Sequence, residues 1–190
     1  MKLIIARHGE IKEGKKGIIL GGLPGNLSIQ GKKEAKQVAE FLINKKEIPE
    51  VIISSNLKRA KDSALIIGKK LKVSVIFKKI IKERKAGKAE GKTEKEIDWE
   101  EYEKLPLEKR KHKSGESFHE VKERAEKFLK AILKNKKYQN ILIISHDVFI
   151  KMLLSVWLEK TIKKSLSENL KGKIIIINTT RKKKAEIVPL

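Results

Sequence analysis

The chain has no cysteine among its 190 residues, which excludes disulfide bonds, thiolate nucleophiles and cysteine-ligated metals. Aromatic residues are also scarce, at 5% of the chain, whereas hydrophobic residues reach 39%. A folded core must therefore be built mainly from isoleucine, leucine and valine. A chain of this length can bury such a core in one unit, so we expect a single domain over residues 1–190.

Long hydrophobic runs are absent as well. The longest ones, such as 141–144 and 174–177, fall far short of the roughly 20 residues that cross a bilayer. The short apolar segment at 3–6 leads directly into a charged motif, which is not the pattern of a signal peptide. The sequence therefore predicts a cytoplasmic protein with no membrane partner.

Acidic residues are outnumbered by basic ones, at 24 against 46, which gives a formal net charge of +22. Charged residues make up 37% of the chain, against about 25% in an average protein. They are mostly lysine and glutamate, which is typical of proteins from high-temperature organisms. Such a surface also attracts anionic substrates. A non-catalytic protein that binds nucleic acid is the alternative that this charge leaves open, although no aromatic residues interleave the basic runs.

Short apolar segments alternate with amphipathic ones along most of the chain. The apolar segments predict buried strands at 3–6, 51–54, 73–77, 141–145, 173–178 and 185–188. Apolar residues at helical spacing predict helices at 31–44, 57–70, 117–134 and 147–158. We predict an α/β fold in three layers, with a mostly parallel sheet between two layers of helices. The rhythm breaks at about 80–113, which we interpret as an excursion over one end of the sheet.

Polar residues suited to phosphate chemistry follow three of the predicted strands. Arg7 and His8 come directly after the first strand, and Arg59 lies in the first turn of a helix that Asn56 can cap. His146 follows the strand at 141–145. If the sheet is parallel, these residues meet at one of its edges. A neutral imidazole is a nucleophile near neutral pH, and guanidinium groups offer paired donors to phosphate oxygens. The pattern favours phosphoryl transfer.

Five blocks of the sequence resemble those of the histidine phosphatase, or phosphoglycerate mutase-like, family. Residues 3–10 match its apolar strand followed by Arg-His-Gly, and residues 54–60 match its serine-rich strand end followed by Leu-Lys-Arg-Ala. Residues 83–91 match its Glu…Gly…Glu-Gly block, residues 115–117 its Gly-Glu-Ser helix start, and residues 145–146 its Ser-His pair. The blocks keep the family's order over nearly the whole chain, and they imply a phosphoglycerate mutase-like fold.

The resemblance implies a role for each matching residue. His8 would attack phosphorus and carry a transient phosphohistidine, with its other ring nitrogen held by a backbone carbonyl. Arg7, Arg59 and His146 would bind the non-bridging oxygens and stabilise the charge of the transition state. Glu83 would protonate the leaving oxygen and then activate the water that clears the phosphoenzyme.

The implied activity is that of a metal-independent phosphomonoesterase without a cofactor, acting on a small phosphorylated metabolite. Gly22 and Leu23 would contribute to substrate and phosphate binding. The runner-up within the family is a cofactor-dependent phosphoglycerate mutase, in which the phosphoenzyme returns its group to the substrate. The region at 80–113 leaves little room for the insertion of the mutases, which favours the phosphatase. A homo-oligomer is left open.

Asp147 departs from the family, which commonly has glycine at this position. An aspartate directly after His146 adds bulk and negative charge. We therefore expect it to narrow the pocket or to disfavour a strongly anionic leaving group. The segment 21–31 departs as well, with Pro24 and Asn26 where aspartate and proline are usual. The natural substrate is not determined by these residues.

Overall fold

The fold is built around one six-stranded mixed sheet, seen in a computed structural model that describes residues 1–181 and 183–190, apart from the side chain of Lys15. In spatial order the strands run β3-β2-β4-β1-β5-β6. Their bounds are β1 (Lys2–Arg7), β2 (Val51–Ser55), β3 (Val75–Lys78), β4 (Asn140–Ser145), β5 (Lys173–Asn178) and β6 (Glu186–Pro189). The first four strands are mutually parallel, whereas β5 and β6 run antiparallel to their neighbours. The predicted α/β class and mostly parallel sheet are confirmed.

Helices cover both faces of the sheet. They are α1 (Ile29–Asn44), α2 (Lys58–Leu71), α3 (Glu100–Glu103), α4 (Phe118–Leu133), α5 (Asp147–Trp157) and α6 (Ile162–Leu166). Alternate residues of β1 point to opposite faces, so Ile4 packs with α1 and α2 while Ile5 packs with α4 and α5. Each such fully buried side chain stabilises the fold by about 1.5–3 kcal/mol. In the described part of the chain, none of the helices combines the length and apolar character that a bilayer crossing requires.

Two of the strands predicted to be buried are instead exposed edges. In β3, Ile76 and Phe77 are 36% and 37% exposed, and β6 is largely exposed along its length. Each strand pairs on one side only, so its apolar side chains receive less cover than those of the central strands. The strand predicted from residue 73 begins at Val75, because the Val73 N–H donates to the Gly68 carbonyl and continues the end of α2.

The start of α2 also differs from the prediction. Its N-cap is Leu57, and Asn56 makes no capping hydrogen bond. The Leu57 N–H donates instead to the Ser55 hydroxyl at 3.2 Å. Ser55, the last residue of β2, thus binds the N-cap residue of the helix that carries Arg59. The contact also fixes the Ser55 hydroxyl at the carboxyl edge of the sheet.

The segment between β3 and α4 adds no strand to the sheet. It contains short 3-10 turns at Lys79–Ile81, Gly87–Ala89, Glu94–Glu96 and Leu107–Lys109, together with α3. The Ser145 hydroxyl at the end of β4 donates to the Ile81 carbonyl at 2.8 Å. The excursion is therefore tied to the carboxyl edge of the sheet at the point where Glu83 follows.

Candidate active site

His8 is fixed just beyond the end of β1. Its N–H donates to the Ser145 carbonyl at 3.0 Å, which continues the pairing of β1 with β4 by one residue. The next residue, Gly9, packs so closely on α1 that a Cβ there would overlap the Gly31 carbonyl. The Gly9 N–H donates to the Ser63 hydroxyl of α2 at 3.1 Å. Glycine is needed at this turn because the backbone itself must touch α1, and the close contact leaves His8 only 7% exposed.

The tautomer of His8 follows from its hydrogen bonds. Its Nδ1 lies 2.8 Å from the Gly9 carbonyl, which can only accept, so Nδ1 carries the proton and Nε2 keeps a lone pair. Burial, followed by the charges of Arg7 and Arg59, holds the pKa of His8 well below its usual range. The ring is therefore neutral at physiological pH, and Nε2 is a nucleophilic nitrogen.

Arg59 lies against this nitrogen. Its Nε is 3.2 Å from His8 Nε2, and its two terminal nitrogens donate to the Leu23 carbonyl at 2.7 Å and the Gly21 carbonyl at 2.8 Å. Only 2% of the residue is exposed. Burial lowers the pKa of Arg59, yet a guanidinium remains charged at physiological pH. A buried positive charge next to a nucleophile is suited to hold an anionic group there.

The loop predicted to bind substrate is partly engaged with the protein itself. The Gly22 N–H donates to the Glu90 carboxylate at 2.7 Å, and the Leu23 carbonyl accepts from Arg59. Among the residues of this loop, the active-site cavity is lined by Leu20 and Gly21. Substrate contacts from Gly22 and Leu23 stay a prediction. In the structure, the carbonyls of this loop hold Arg59 in position.

His146 completes the group from the end of β4. It is fully buried, and its ring centroid is 5.0 Å from that of His8. Its Nε2 lies 2.8 Å from the Ser55 hydroxyl, which already accepts a hydrogen bond from the Leu57 N–H. The hydroxyl proton is thus available to His146 Nε2, which leaves the ring proton on Nδ1. Burial, then the charges of His8, Arg59 and Arg7, holds the pKa of His146 well below its usual range.

The Nδ1 of His146 is buried and has no hydrogen-bond partner among the described residues. An unpaired buried donor costs about 1–3 kcal/mol, and a bound acceptor would recover this energy. Ser55 was not singled out by the sequence analysis, although it lies within a matched block. The sequence feature that could have pointed to Ser55 is its position at the end of a strand in the same sheet as β4.

Glu83 contributes a carboxyl group to the same cavity. Its Oε1 accepts a hydrogen bond from the Arg84 N–H at 2.8 Å. Burial raises the pKa of Glu83, and this outweighs the opposite effects of that hydrogen bond and of Arg59 and Arg7. A carboxyl group that holds its proton to higher pH is suited to act as a general acid.

A clamp that the sequence analysis missed holds the backbone before Glu83. Arg124 of α4 donates to the Ile80 carbonyl at 2.7 Å and to the Lys82 carbonyl at 3.0 Å. The same guanidinium pairs with both carboxylate oxygens of Glu116 at 3.0 Å. One sequence feature could have pointed to Arg124. It is a charged residue three positions after Val121, where the helical period predicts the buried face of the helix.

The cavity that joins these groups has a volume of about 690 Å³. Arg7, His8, Arg59 and Glu83 all line it, whereas His146 is not among the lining residues and joins the group through the packing of its ring against His8. Arg7 also approaches Asp147, with 3.8 Å between Nη1 and Oδ1. Among the described residues, no group of three or more histidine and carboxylate side chains is arranged to hold a metal ion. The site offers a neutral nucleophile, cationic donors and a proton source.

A model of the histidine phosphatase superfamily (branch 1) matches residues 3–188. The chain belongs to this superfamily. It is a phosphatase, a hydrolase of phosphate monoesters.

Curated relatives and solved structures point the same way. The chain is 30% identical over 189 residues to a metal-independent phosphoserine phosphatase of Arabidopsis thaliana, covering 93% of this chain and 76% of the relative. It is 34% identical over 157 residues to phosphoserine phosphatase 1 of Hydrogenobacter thermophilus, covering 78% and 72%. The crystal structure of the alpha-ribazole phosphatase from Shigella flexneri superposes with a TM-score of 0.84 at 22% identity, covering 100% and 96% of the two chains. The last comparison confirms the predicted phosphoglycerate mutase-like fold.

Proposed function

We propose that this protein is a metal-independent phosphomonoesterase that works through a phosphohistidine on Nε2 of His8. The observation that carries the proposal is the state of this ring. Nδ1 is held by the Gly9 carbonyl, the pKa lies well below its usual range, and the unprotonated Nε2 accepts a hydrogen bond from Arg59 Nε at 3.2 Å. Such a nitrogen needs no base to become a nucleophile, and it needs no metal or other cofactor to be activated.

In the first step, His8 Nε2 attacks phosphorus in line and the bond from phosphorus to the ester oxygen breaks. Glu83 gives its proton to the leaving oxygen, so the alcohol departs neutral. Arg7, Arg59 and the Nδ1–H of His146 bind the non-bridging oxygens, where negative charge must be stabilised. Leu23 supports this cradle because its carbonyl accepts a hydrogen bond from Arg59, and Gly22 fixes the same loop by donating to Glu90.

In the second step, the Glu83 carboxylate takes a proton from water as that water attacks the phosphohistidine. The P–N bond breaks, inorganic phosphate leaves, and Nε2 regains its lone pair. Glu83 is protonated again and the cycle closes. In a mutase, a second substrate hydroxyl would take the place of this water, so release of free phosphate distinguishes the two activities.

We further propose a small phosphorylated metabolite as the substrate. Phosphoserine is the first compound to test, because two relatives at 30% and 34% identity are named phosphoserine phosphatases. The net charge of +22 supports an anionic small molecule as the partner.

The test is hydrolysis of an aryl phosphate and of phosphoserine in the presence of a chelator, combined with trapping of the phosphorylated protein in alkaline detergent. We expect chelator-resistant release of phosphate and an acid-labile phosphoryl group on wild type. Both should disappear in His8→Ala and persist in His119→Ala, which removes an exposed histidine of α4. Trapping without release of phosphate would favour the mutase, and full activity of His8→Ala would refute the proposal.

A further inference from the structure

Asp147 places a carboxylate beside the phosphate-binding groups. It is the first residue of α5 and directly follows His146. Its Oδ1 lies 3.8 Å from Arg7 Nη1, and its Oδ2 lies 2.8 Å from the Nζ of Lys151, one helical turn further on. The side chain is 27% exposed, whereas that of Lys151 is only 13% exposed. Lysine therefore binds one oxygen of the carboxylate, and the other oxygen remains accessible beside Arg7.

The charge of Asp147 acts on the side of the site where the leaving group departs. Asp147 is not itself among the residues that line the cavity, but the next residue, Val148, lines it together with Arg7 and Glu83. The carboxylate is also among the groups that raise the pKa of Glu83, in agreement with this position. The leaving oxygen must come within hydrogen-bond distance of Glu83 to receive its proton. A substituent next to that oxygen would then lie in the field of Asp147.

The charged groups around Asp147 differ in what they can bind. In the proposed mechanism Arg7 and Arg59 bind the phosphoryl group, and the Lys151 ammonium is already paired with Asp147. A carboxylate contributes nothing to holding a phosphate dianion, which it repels. Asp147 would stabilise the start of α5 through the helix dipole, but that role is indifferent to the substrate. Its effect on chemistry therefore falls on the alcohol part of the ester.

We propose that Asp147 selects the leaving group by charge, favouring alcohols that carry an ammonium group close to the ester oxygen over those that carry a carboxylate there. The inference rests on the proposed phosphatase function and deepens it by naming the substrate class. An ammonium group can form a charge-assisted hydrogen bond with the exposed carboxylate. A carboxylate at the same place is repelled. The same selection disfavours phosphoglycerate, the substrate of the mutase alternative.

Three two-carbon esters differ in little except this charge: O-phosphoethanolamine, 2-hydroxyethyl phosphate and phosphoglycolate. On wild type we expect kcat/KM to fall in that order. In Asp147→Asn, which keeps size and shape, the ratio of kcat/KM for phosphoethanolamine to that for phosphoglycolate should fall about tenfold or more. Asp147→Glu should keep most of the wild-type ratio because the charge remains.

Glu123→Gln serves as the charge-matched control, since Glu123 is an exposed residue of α4 and does not line the cavity. Its ratio should equal that of wild type. Equal ratios in wild type and Asp147→Asn, with an aryl phosphate still hydrolysed, would overturn this inference alone. Failure of wild type to hydrolyse the aryl phosphate would overturn the proposed function and this inference with it.

Discussion

At the scale of single residues, the hydroxyl of Ser55 decides which nitrogen of His146 carries the proton. It accepts from the Leu57 N–H and lies 2.8 Å from His146 Nε2, so its own proton is directed at the ring. The consequence is a donor on Nδ1, which faces no other partner in the described part of the chain. In the mechanism we propose, this donor binds a phosphate oxygen, which a lone pair on Nδ1 could not do.

Replacing Ser55 by alanine should therefore lower kcat by about tenfold, close to the value of one hydrogen bond to a charged group. Ser55→Thr, which retains the hydroxyl, should recover most of the activity. Nitrogen NMR shifts of the His146 ring report the tautomer directly, and the Nδ1–H form should lose population in the alanine variant. Ser155→Ala removes another buried hydroxyl and is the control. An unchanged tautomer in Ser55→Ala would contradict this role.

The raised pKa of Glu83 has a consequence for the pH dependence of catalysis. In the mechanism we propose, Glu83 is the general acid and must be protonated, so kcat/KM for an alkyl phosphate should decline as pH rises through a pKa above the ordinary value of about 4.3. In Glu83→Gln the decline should vanish, together with about 10²–10⁴-fold of the rate. An aryl phosphate with a good leaving group needs no proton from an acid. Its pH profile therefore reports ionisation of the substrate without that of Glu83. Identical profiles for both esters would exclude Glu83 as the acid.

At the scale of elements, α4 fixes the backbone that precedes Glu83, the residue we propose as the acid. Arg124 binds the carbonyls of Ile80 and Lys82 while Glu116 fixes its guanidinium. Glu116 also accepts from the Lys85 N–H at 2.9 Å, so the clamp holds both sides of Glu83. An acid on an irregular segment is thereby fixed to a regular helix.

Arg124→Met should release this segment, because methionine keeps part of the volume but none of the donors. We expect faster amide hydrogen exchange at residues 80–85 and a loss of about tenfold in kcat for alkyl phosphates. The loss should be much smaller for an activated aryl phosphate, whose departure does not depend on Glu83. Lys127→Met, at an exposed position of α4, is the matched control. Equal losses for both esters would indicate general destabilisation and not a displaced acid.

At the scale of the whole molecule, two buried neutral histidines couple stability to pH. The pKa values of His8 and His146 lie well below the usual 6.5, whereas in the unfolded chain both histidines titrate normally. Below about pH 6.5 the unfolded state therefore binds more protons, and the free energy of unfolding falls as pH falls. Glu83 acts oppositely, since its raised pKa stabilises the fold at lower pH and this contribution is lost as pH rises through that pKa.

Thermal unfolding between pH 7.5 and pH 5 should show this decline. The double variant His8→Asn, His146→Asn should have a shallower slope, because it removes both groups that take up protons on unfolding. His119→Asn should leave the slope as it is, since that histidine is exposed. A slope that the double variant does not change would show that other groups govern the acid limit.

Much of the fold and of the site was predictable because both depend on local patterns. Alternating apolar segments predicted the parallel sheet, and the strand ends then placed His8, Arg59 and His146 at one edge. The exposed edge strands were not predictable, since burial of β3 depends on which strand lies beside it. The clamp of Arg124 was missed because its partners are carbonyls more than 40 residues away, and backbone carbonyls have no signature in the sequence.

The position of β1 also governs how the protein can fold. Among the described strands, β1 pairs only with β4 and β5, whose residues lie between 140 and 178. During synthesis β1, which positions His8 at its end, cannot pair with β4 until residues 140–145 have left the ribosome. Pairings of such long sequence separation close slowly and leave apolar segments open to aggregation in the meantime. The net charge of +22 makes incompletely folded chains repel one another, which opposes their aggregation until β1 is enclosed.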